Sequence, residues 1–167
     1  MTAQPARAEI IDTGDRWTRA ARIEIDAPAE RIFDLIADPR QHPRFDGSGS
    51  VRASISGPER LALGAHFGMD MRIGFPYRID NVVVEFEEGR RIAWRHVGRH
   101  RWRYELEPVD DRRTVVTETF DGSTAIFPPA LLLMDAYGRN ETAIAKTLVR
   151  LKQIAEGGDV PPPAETA

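Results

Sequence analysis

The chain has 167 residues, 41% hydrophobic and 29% charged, with a formal net charge of −3, which suits one domain with a core of useful size. Without a basic block of five or six residues it does not read as a nucleic-acid binder that works by neutralising phosphates. The absence of cysteine excludes disulfides, thiolate metal sites and cysteine nucleophiles.

Residues 1–15 are polar, lack the apolar core of a signal peptide and are expected to be flexible. The longest apolar run, Pro128 to Met134, falls far short of the roughly 18 apolar residues of a membrane span. The expected location is the cytoplasm. Of the 23 basic residues 21 are arginine, a bias that fits coding from a GC-rich genome.

Thr18 to Asp26 alternates, with Ala21, Ile23 and Ile25 on one face and Arg22, Glu24 and Asp26 on the other, the pattern of a half-buried strand. A helix follows over Ala29 to Ala37, with Asp26 as its expected cap and Pro28 in its first turn. Ile32, Phe33, Leu35 and Ile36 give it an apolar face. Asp38-Pro39 ends it, and Arg40 to Phe45 reads as a second short helix or turn, with His42 at the surface. After the loop Gly47 to Ser50, Val51, Ala53 and Ile55 share a face up to Gly57-Pro58.

Leu63, Ala65, Phe67, Met69, Met71 and Ile73 form a long inward row, with His66, Asp70 and Arg72 opposite. Arg78 to Glu87 and Arg90 to Val97 read as a hairpin about Glu88-Gly89. In His100 to Glu107, Trp102, Tyr104 and Leu106 oppose Arg101, Arg103 and Glu105. Thr114 to Phe120 is rich in β-branched residues and completes six strands after the first helical segment, with Gly122 as its stop. From Asp135 to Glu156 the period becomes helical, with Tyr137, Asn140, Ile144, Leu148, Leu151 and Ala155 along one face. Residues 157–167, with Gly157-Gly158 and Pro161-Pro162-Pro163, read as a disordered tail.

The stretch Ile25-Asp26-Ala27-Pro28-Ala29-Glu30-Arg31-Ile32-Phe33-Asp34-Leu35-Ile36-Ala37-Asp38-Pro39, a strand ending in Ala-Pro before a helix and Asp-Pro, resembles an opening frequent in the START-like helix-grip (SRPBCC) superfamily. Within it the likeness is to bacterial polyketide cyclase/dehydrase-like proteins. Phe86 to Trp94 resembles the central hairpin of that superfamily, and Thr114 to Phe120 its last strand. The resemblance spans Arg16 to Ala155, and residues 16–156 are taken as the ligand-binding domain. It implies an α+β fold: a curved seven-stranded antiparallel sheet wrapped around a long C-terminal helix, with two short helices after the first strand. It also implies a ligand held between sheet and helix, in a space that one helix cannot fill.

Inward polar residues are then the informative ones, because burying one unpaired costs about 1–3 kcal/mol. Alternation puts His96 on the face of Ile92 and Trp94, and Tyr104 on that of Trp102 and Leu106. Glu118 points inward if Val116 and Phe120 do. A one-residue shift would instead turn Val115, Thr117 and Thr119 inward and leave Glu118 in solvent. Asn140 lies on the inner stripe of the last helix. The apolar lining is assigned to Phe67, Met69, Met71, Ile92, Trp94, Trp102, Tyr137, Ile144 and Leu148. The methionine pair suits an adaptable wall.

His96 and His100 stand four apart, a metal-binding spacing on a helix, but Gly98 lies between two strands, so that geometry is lost, and no third ligand is evident. No metal or cofactor is expected. Gly47-Ser48-Gly49-Ser50 lacks the lysine and following helix of a phosphate loop, and no Gly-x-Ser-x-Gly elbow exists. Arg95, Arg99, Arg101 and Arg103 read as a solvated hairpin face, or as a contact for an acyl-carrier or other protein.

The leading expectation is a module that binds a small lipid-like, polyketide-like or aromatic molecule. The rival is an aromatase/cyclase or dehydratase-type enzyme that uses Glu118, His96 or Tyr104 as acid or base. A third reading, an interaction module of cochaperone or toxin type, would require a large exposed apolar patch. Oligomeric state is not readable from these residues.

Overall fold

The computed structural model describes residues 5–158. The Pro-rich stretch Pro161 to Pro163, and the side chain of Ile55 in the row expected with Val51 and Ala53, lie outside the described residues. In chain order the elements are β1 (Glu9–Ile11), β2 (Thr18–Ile25), α1 (Ala29–Ala37), a 3-10 turn (Pro39–Gln41), α2 (His42–Phe45), β3 (Val51–Ser56), β4 (His66–Ile73), β5 (Phe75–Glu87), β6 (Arg91–Arg95), β7 (Arg101–Asp110), β8 (Arg113–Asp121), α3 (Pro128–Leu133) and α4 (Ala136–Ala155). One antiparallel sheet runs in the order β1-β2-β8-β7-β6-β5-β4-β3, and α4 packs across β2 and β8. This is the helix-grip architecture expected from the sequence.

The sheet has eight strands rather than seven. The extra one, β1, lies in the segment expected to be flexible: it pairs with β2 through Ile10↔Ala21, and Arg22 clasps Glu9 at 2.8 Å. Three residues, Glu9-Ile10-Ile11, are too few to show alternation. They become a strand because β2 offers a free edge.

Other boundaries shift for local reasons. Asp26 does not cap α1. The cap position is Pro28, with no side-chain bond, and the Asp26 N–H is held by the Glu156 carboxylate at 2.8 Å. Leu63 and Ile73, the ends of the expected inward row, are 67% and 50% exposed. Leu63 precedes a turn at Gly64 (φ +79°), and Ile73 sits at the tip of the β4–β5 hairpin, which closes through Gly74 (φ +74°). Both turns need a backbone conformation that glycine adopts without a Cβ clash. The apolar run after Pro128 folds as α3, with Leu132, Leu133 and Met134 exposed.

Only half of the concave space is filled. Ile32, Phe33 and Ile36 of α1 join Phe67, Ile92, Leu106, Val116, Leu148 and Leu151 in one fully buried cluster. That cluster ends at a layer of rings. His42 stacks on Trp94 (4.9 Å, 20°), meets Phe67 edgewise at 5.5 Å and lies tilted against Phe45 at 5.3 Å. Beyond this layer the space between sheet and α4 is hollow.

Candidate functional site

The hollow half is a cavity of about 320 Å³, at the small end of the range of about 300–1,000 Å³ for ligand pockets. Of the residues expected to line it, Met69, Met71, Trp94, His96, Trp102 and Tyr104 do so from the sheet, with Glu118. Asn140 and Ile144 do so from α4. Phe67, Ile92, Leu148 and Tyr137 do not. The first three face inward as expected but lie in the filled half, fully buried against α1 and its neighbours. Tyr137 sits behind Phe120 (5.6 Å), between Trp17 and the Arg19 guanidinium, and pins α4 to β2 and β8. Alternation gives the face a residue points to but not how far along that face the filling extends.

The register settles Glu118 as inward. Tyr104↔Glu118 is a direct pair of β7 and β8, as are Trp102↔Phe120 and Leu106↔Val116. Side chains of one face therefore run Val116, Glu118, Phe120. Glu118 is 3% exposed, and its Oε1 accepts the Tyr104 hydroxyl at 2.9 Å. Its other oxygen, Oε2, is buried with no partner among the described residues. Burial drives the Glu118 pKa well above the ordinary carboxylate value, and the negative charge of Asp46 adds to this against the opposing Tyr104 bond. The Tyr104 hydroxyl is likewise raised well above its ordinary value by burial and by Glu118. A protonated Glu118 accepts from Tyr104 on Oε1 and so carries its own proton on Oε2, a buried O–H donor left unmatched.

Among the polar groups at the wall, His42, His100 and Asn81 fall outside the expected lining, whereas Asp46 was expected either near the mouth or in an ordinary Asp-Gly turn. His42, expected at the surface, is 3% exposed; its Nε2 bonds the Ile36 carbonyl at 2.7 Å, and burial lowers its pKa to about 4. No sequence pattern marks it, because the 3-10 turn before α2 sets its direction. His100 and Asn81 were legible and overlooked: His100 shares parity with Trp102 and Tyr104, and Asn81 with Ile79 and Val83. Asp46 also lines the cavity, where its carboxylate winds the Gly-Ser loop by accepting from the Ser48 and Val51 N–H groups at 3.1 Å each. The Gly47 N–H donates to Thr147 Oγ1 at 2.8 Å, so this loop is stitched to α4. A Cβ on Gly47 would collide with the backbone of Thr147 and Ala143.

Gly98 lies between β6 and β7, as expected, so His96 and His100 lack the helical spacing of a metal pair. Gly98 and Arg99 form a turn, with Arg99 N–H bonded to the His96 carbonyl at 2.9 Å and Arg99 at φ +64°. This brings the two imidazoles to 4.3 Å in a T-shaped contact. Both pKa values are lowered by burial, that of His100 to about 4 with repulsion from His96 contributing. Among the described residues no group of three or more His, Asp or Glu side chains is gathered as metal ligands would be. The arginine face is also less free than expected, because Glu85 accepts a bidentate pair from Arg103 at 2.7 and 3.1 Å and lies 3.9 Å from Arg101.

A helix-gripping sheet that holds an aromatic cavity with one buried acid in its wall defines a small-molecule-binding class of fold. Residues 16–156 match the family model described as polyketide cyclase / dehydrase and lipid transport, and the chain belongs to that family. It is 41% identical over 114 residues to the uncharacterized protein Rv0088 of Mycobacterium tuberculosis, a match covering 67% of this chain and 50% of that one. The aligned region thus spans about half the length of the curated relatives it matches.

Among solved structures, a protein from Arthrobacter aurescens superimposes with a TM-score of 0.69 at 16% identity, covering 89% of this chain and 91% of that one. The Polyketide_cyc-like protein Cgl2372 of Corynebacterium glutamicum does so at 0.56 and 22%, covering 84% and 91%. The Aha1 dimer from Colwellia psychrerythraea does so at 0.57 and 18%, covering 84% and 97%. These likenesses concern the fold. Among the described residues no helix is long and apolar enough to cross a membrane.

Proposed function

We propose that this protein binds one small, largely apolar molecule in the cavity between the sheet and α4, and that the neutral Glu118 carboxyl is its polar anchor. The observation that carries this is the unpartnered Glu118 Oε2 in the cavity wall. Buried polar atoms are normally hydrogen-bonded, and a small rotation of the Glu118 carboxyl would bring this one to a ligand oxygen in the cavity. Trp94, Trp102, Met69 and Met71 supply apolar wall, and affinity would come chiefly from their burial against the ligand.

The test uses the uncharged fluorophore N-phenyl-1-naphthylamine. Saturable one-to-one binding with quenching of Trp94 and Trp102 is expected, and Ala143→Phe, which fills the cavity from α4, should abolish it. Absence of binding, or binding indifferent to Ala143→Phe, would reject the proposal. Native mass spectrometry of freshly purified protein would identify a natural occupant.

A second reading is favoured by the same carboxyl. A buried acid whose pKa is raised by desolvation suits general acid–base catalysis, as in cyclisation or dehydration of a polyketone. Glu118→Gln separates the two: a catalyst would lose turnover of a polyketone while still binding it, and a carrier would show no turnover in either form.

A further inference from the structure

Four polar groups of the cavity, Tyr104, Glu118, His96 and His100, stand at two levels with aromatic rings between. At one level Tyr104 and Glu118 face each other across β7 and β8. Two residues along, Trp102 lies opposite both Trp94 and Phe120, with its ring 4.9 Å from that of Phe120. Two residues further is His100, 5.3 Å from Phe120 and 4.3 Å from His96. All of these line the same cavity. At ~3.3 Å per strand residue, the four positions from Tyr104 to His100 correspond to roughly 13 Å.

The histidine level has the chemistry of a hydrogen-bond donor and proton acceptor. The Gly98 N–H donates to His96 Nδ1 at 3.2 Å, so the neutral ring carries its proton on Nε2. Among the described residues that Nε2 and both nitrogens of His100 have no hydrogen-bond partner. The other ionisable groups on the wall are His42, Asp46, Tyr77, Tyr104, Glu118 and Arg139. The two carboxyls, Asp46 and Glu118, belong to the Tyr104 side, where both act on the Tyr104 hydroxyl. An anionic ligand group is repelled there, whereas beside the imidazoles it gains N–H donors and stabilises a proton on the pair.

We infer that the ligand is an elongated, flat amphiphile with a neutral hydroxyl or carbonyl at the Tyr104–Glu118 end and a carboxylate at the His96–His100 end, its aromatic body lying along Trp94, Trp102 and Phe120. This rests on the ligand-binding reading above and specifies the class of ligand. The flat body follows from the rings, which favour stacked or edgewise aromatic partners.

Calorimetry at pH 7 with 6-hydroxy-2-naphthoic acid, 2-naphthoic acid and 2-naphthol tests it. The hydroxy acid should bind at least tenfold more tightly than either singly substituted probe. His96→Leu with His100→Leu should weaken both acids tenfold or more and leave 2-naphthol within twofold. Glu118→Met should weaken 2-naphthol and spare 2-naphthoic acid. Titrations in buffers of different ionisation enthalpy should reveal fractional proton uptake with the acids, absent in the histidine variant, a signature that a purely structural role of the pair would not give. Equal affinity for all three probes, or equal loss of acid and naphthol in the histidine variant, would overturn this inference and leave the ligand-binding proposal standing. If neither the naphthalenes nor N-phenyl-1-naphthylamine bind, both fall.

Discussion

Tyr104 and Glu118 occupy directly paired positions of β7 and β8, and the tyrosine hydroxyl donates to the buried carboxyl at 2.9 Å. Each is the other's only hydrogen-bond partner among the described residues. Tyr104→Phe therefore leaves Glu118 with neither oxygen matched and is expected to cost about 1–3 kcal/mol. Urea unfolding of Tyr104→Phe, Glu118→Gln and the double variant should show coupling between the two sites, because they are in contact.

The pH dependence of Glu118 follows from its raised pKa. Above the ordinary value of 4.5 the unfolded chain releases this proton while the folded chain keeps it. The contribution of Glu118 to stability is thus complete below about pH 4.5 and is lost as pH rises toward the folded value. Glu118→Gln cannot ionise, so its stability relative to the native chain should improve between pH 5 and 8 in matched urea titrations. A constant difference across that range would contradict a neutral buried carboxyl.

His42 works in the opposite direction. Its folded pKa of about 4 lies below the ordinary 6.5, so between those values the unfolded chain binds the extra proton. Stability is full above about pH 6.5 and declines as pH falls toward 4, by about 3 kcal/mol for a shift of this size. His100, also near 4, adds to the same window. His42→Phe should flatten much of this acid limb while lowering the neutral plateau by about 1–2 kcal/mol, because the Ile36 carbonyl loses its donor. Thermal or urea midpoints against pH would check both.

Gly47 touches α4 where a methyl group has no room. Gly47→Ala should cost about 1–3 kcal/mol by overpacking and break the Gly47–Thr147 bond that holds the Asp46 loop over the cavity. Unfolding midpoints would report the first effect and N-phenyl-1-naphthylamine affinity the second. Thr147→Val, which removes only the acceptor, should weaken the probe with a smaller loss of stability.

How far the site could be read from the chain depended on whether its residues sit in regular elements. The parities that placed Trp94, His96, Trp102 and Tyr104 on one face are local properties of alternating strands, and β8 needed only Val116 and Phe120 to turn Glu118 inward. The period of α4 gave Asn140 and Ile144 in the same way. The order of elements along the chain, the grip on the C-terminal helix and four polar groups of the wall, His96, Tyr104, Glu118 and Asn140, followed from such patterns together with the family resemblance.

Tertiary structure decided what those patterns leave open. Whether an inward residue meets a neighbour or a void depends on where α1 stops filling the space, and this separates Phe67, Ile92 and Leu148 from Met69, Trp94 and Ile144. The position of His42 beneath Trp94, the meeting of His96 with His100 across the Gly98–Arg99 turn, and the pairing of β1 depend on irregular backbone or on a distant edge. Periodicity within a segment encodes neither. The meeting of β7, β8 and α4, which no single segment specifies, is what leaves the Glu118 carboxyl buried with one oxygen unmatched.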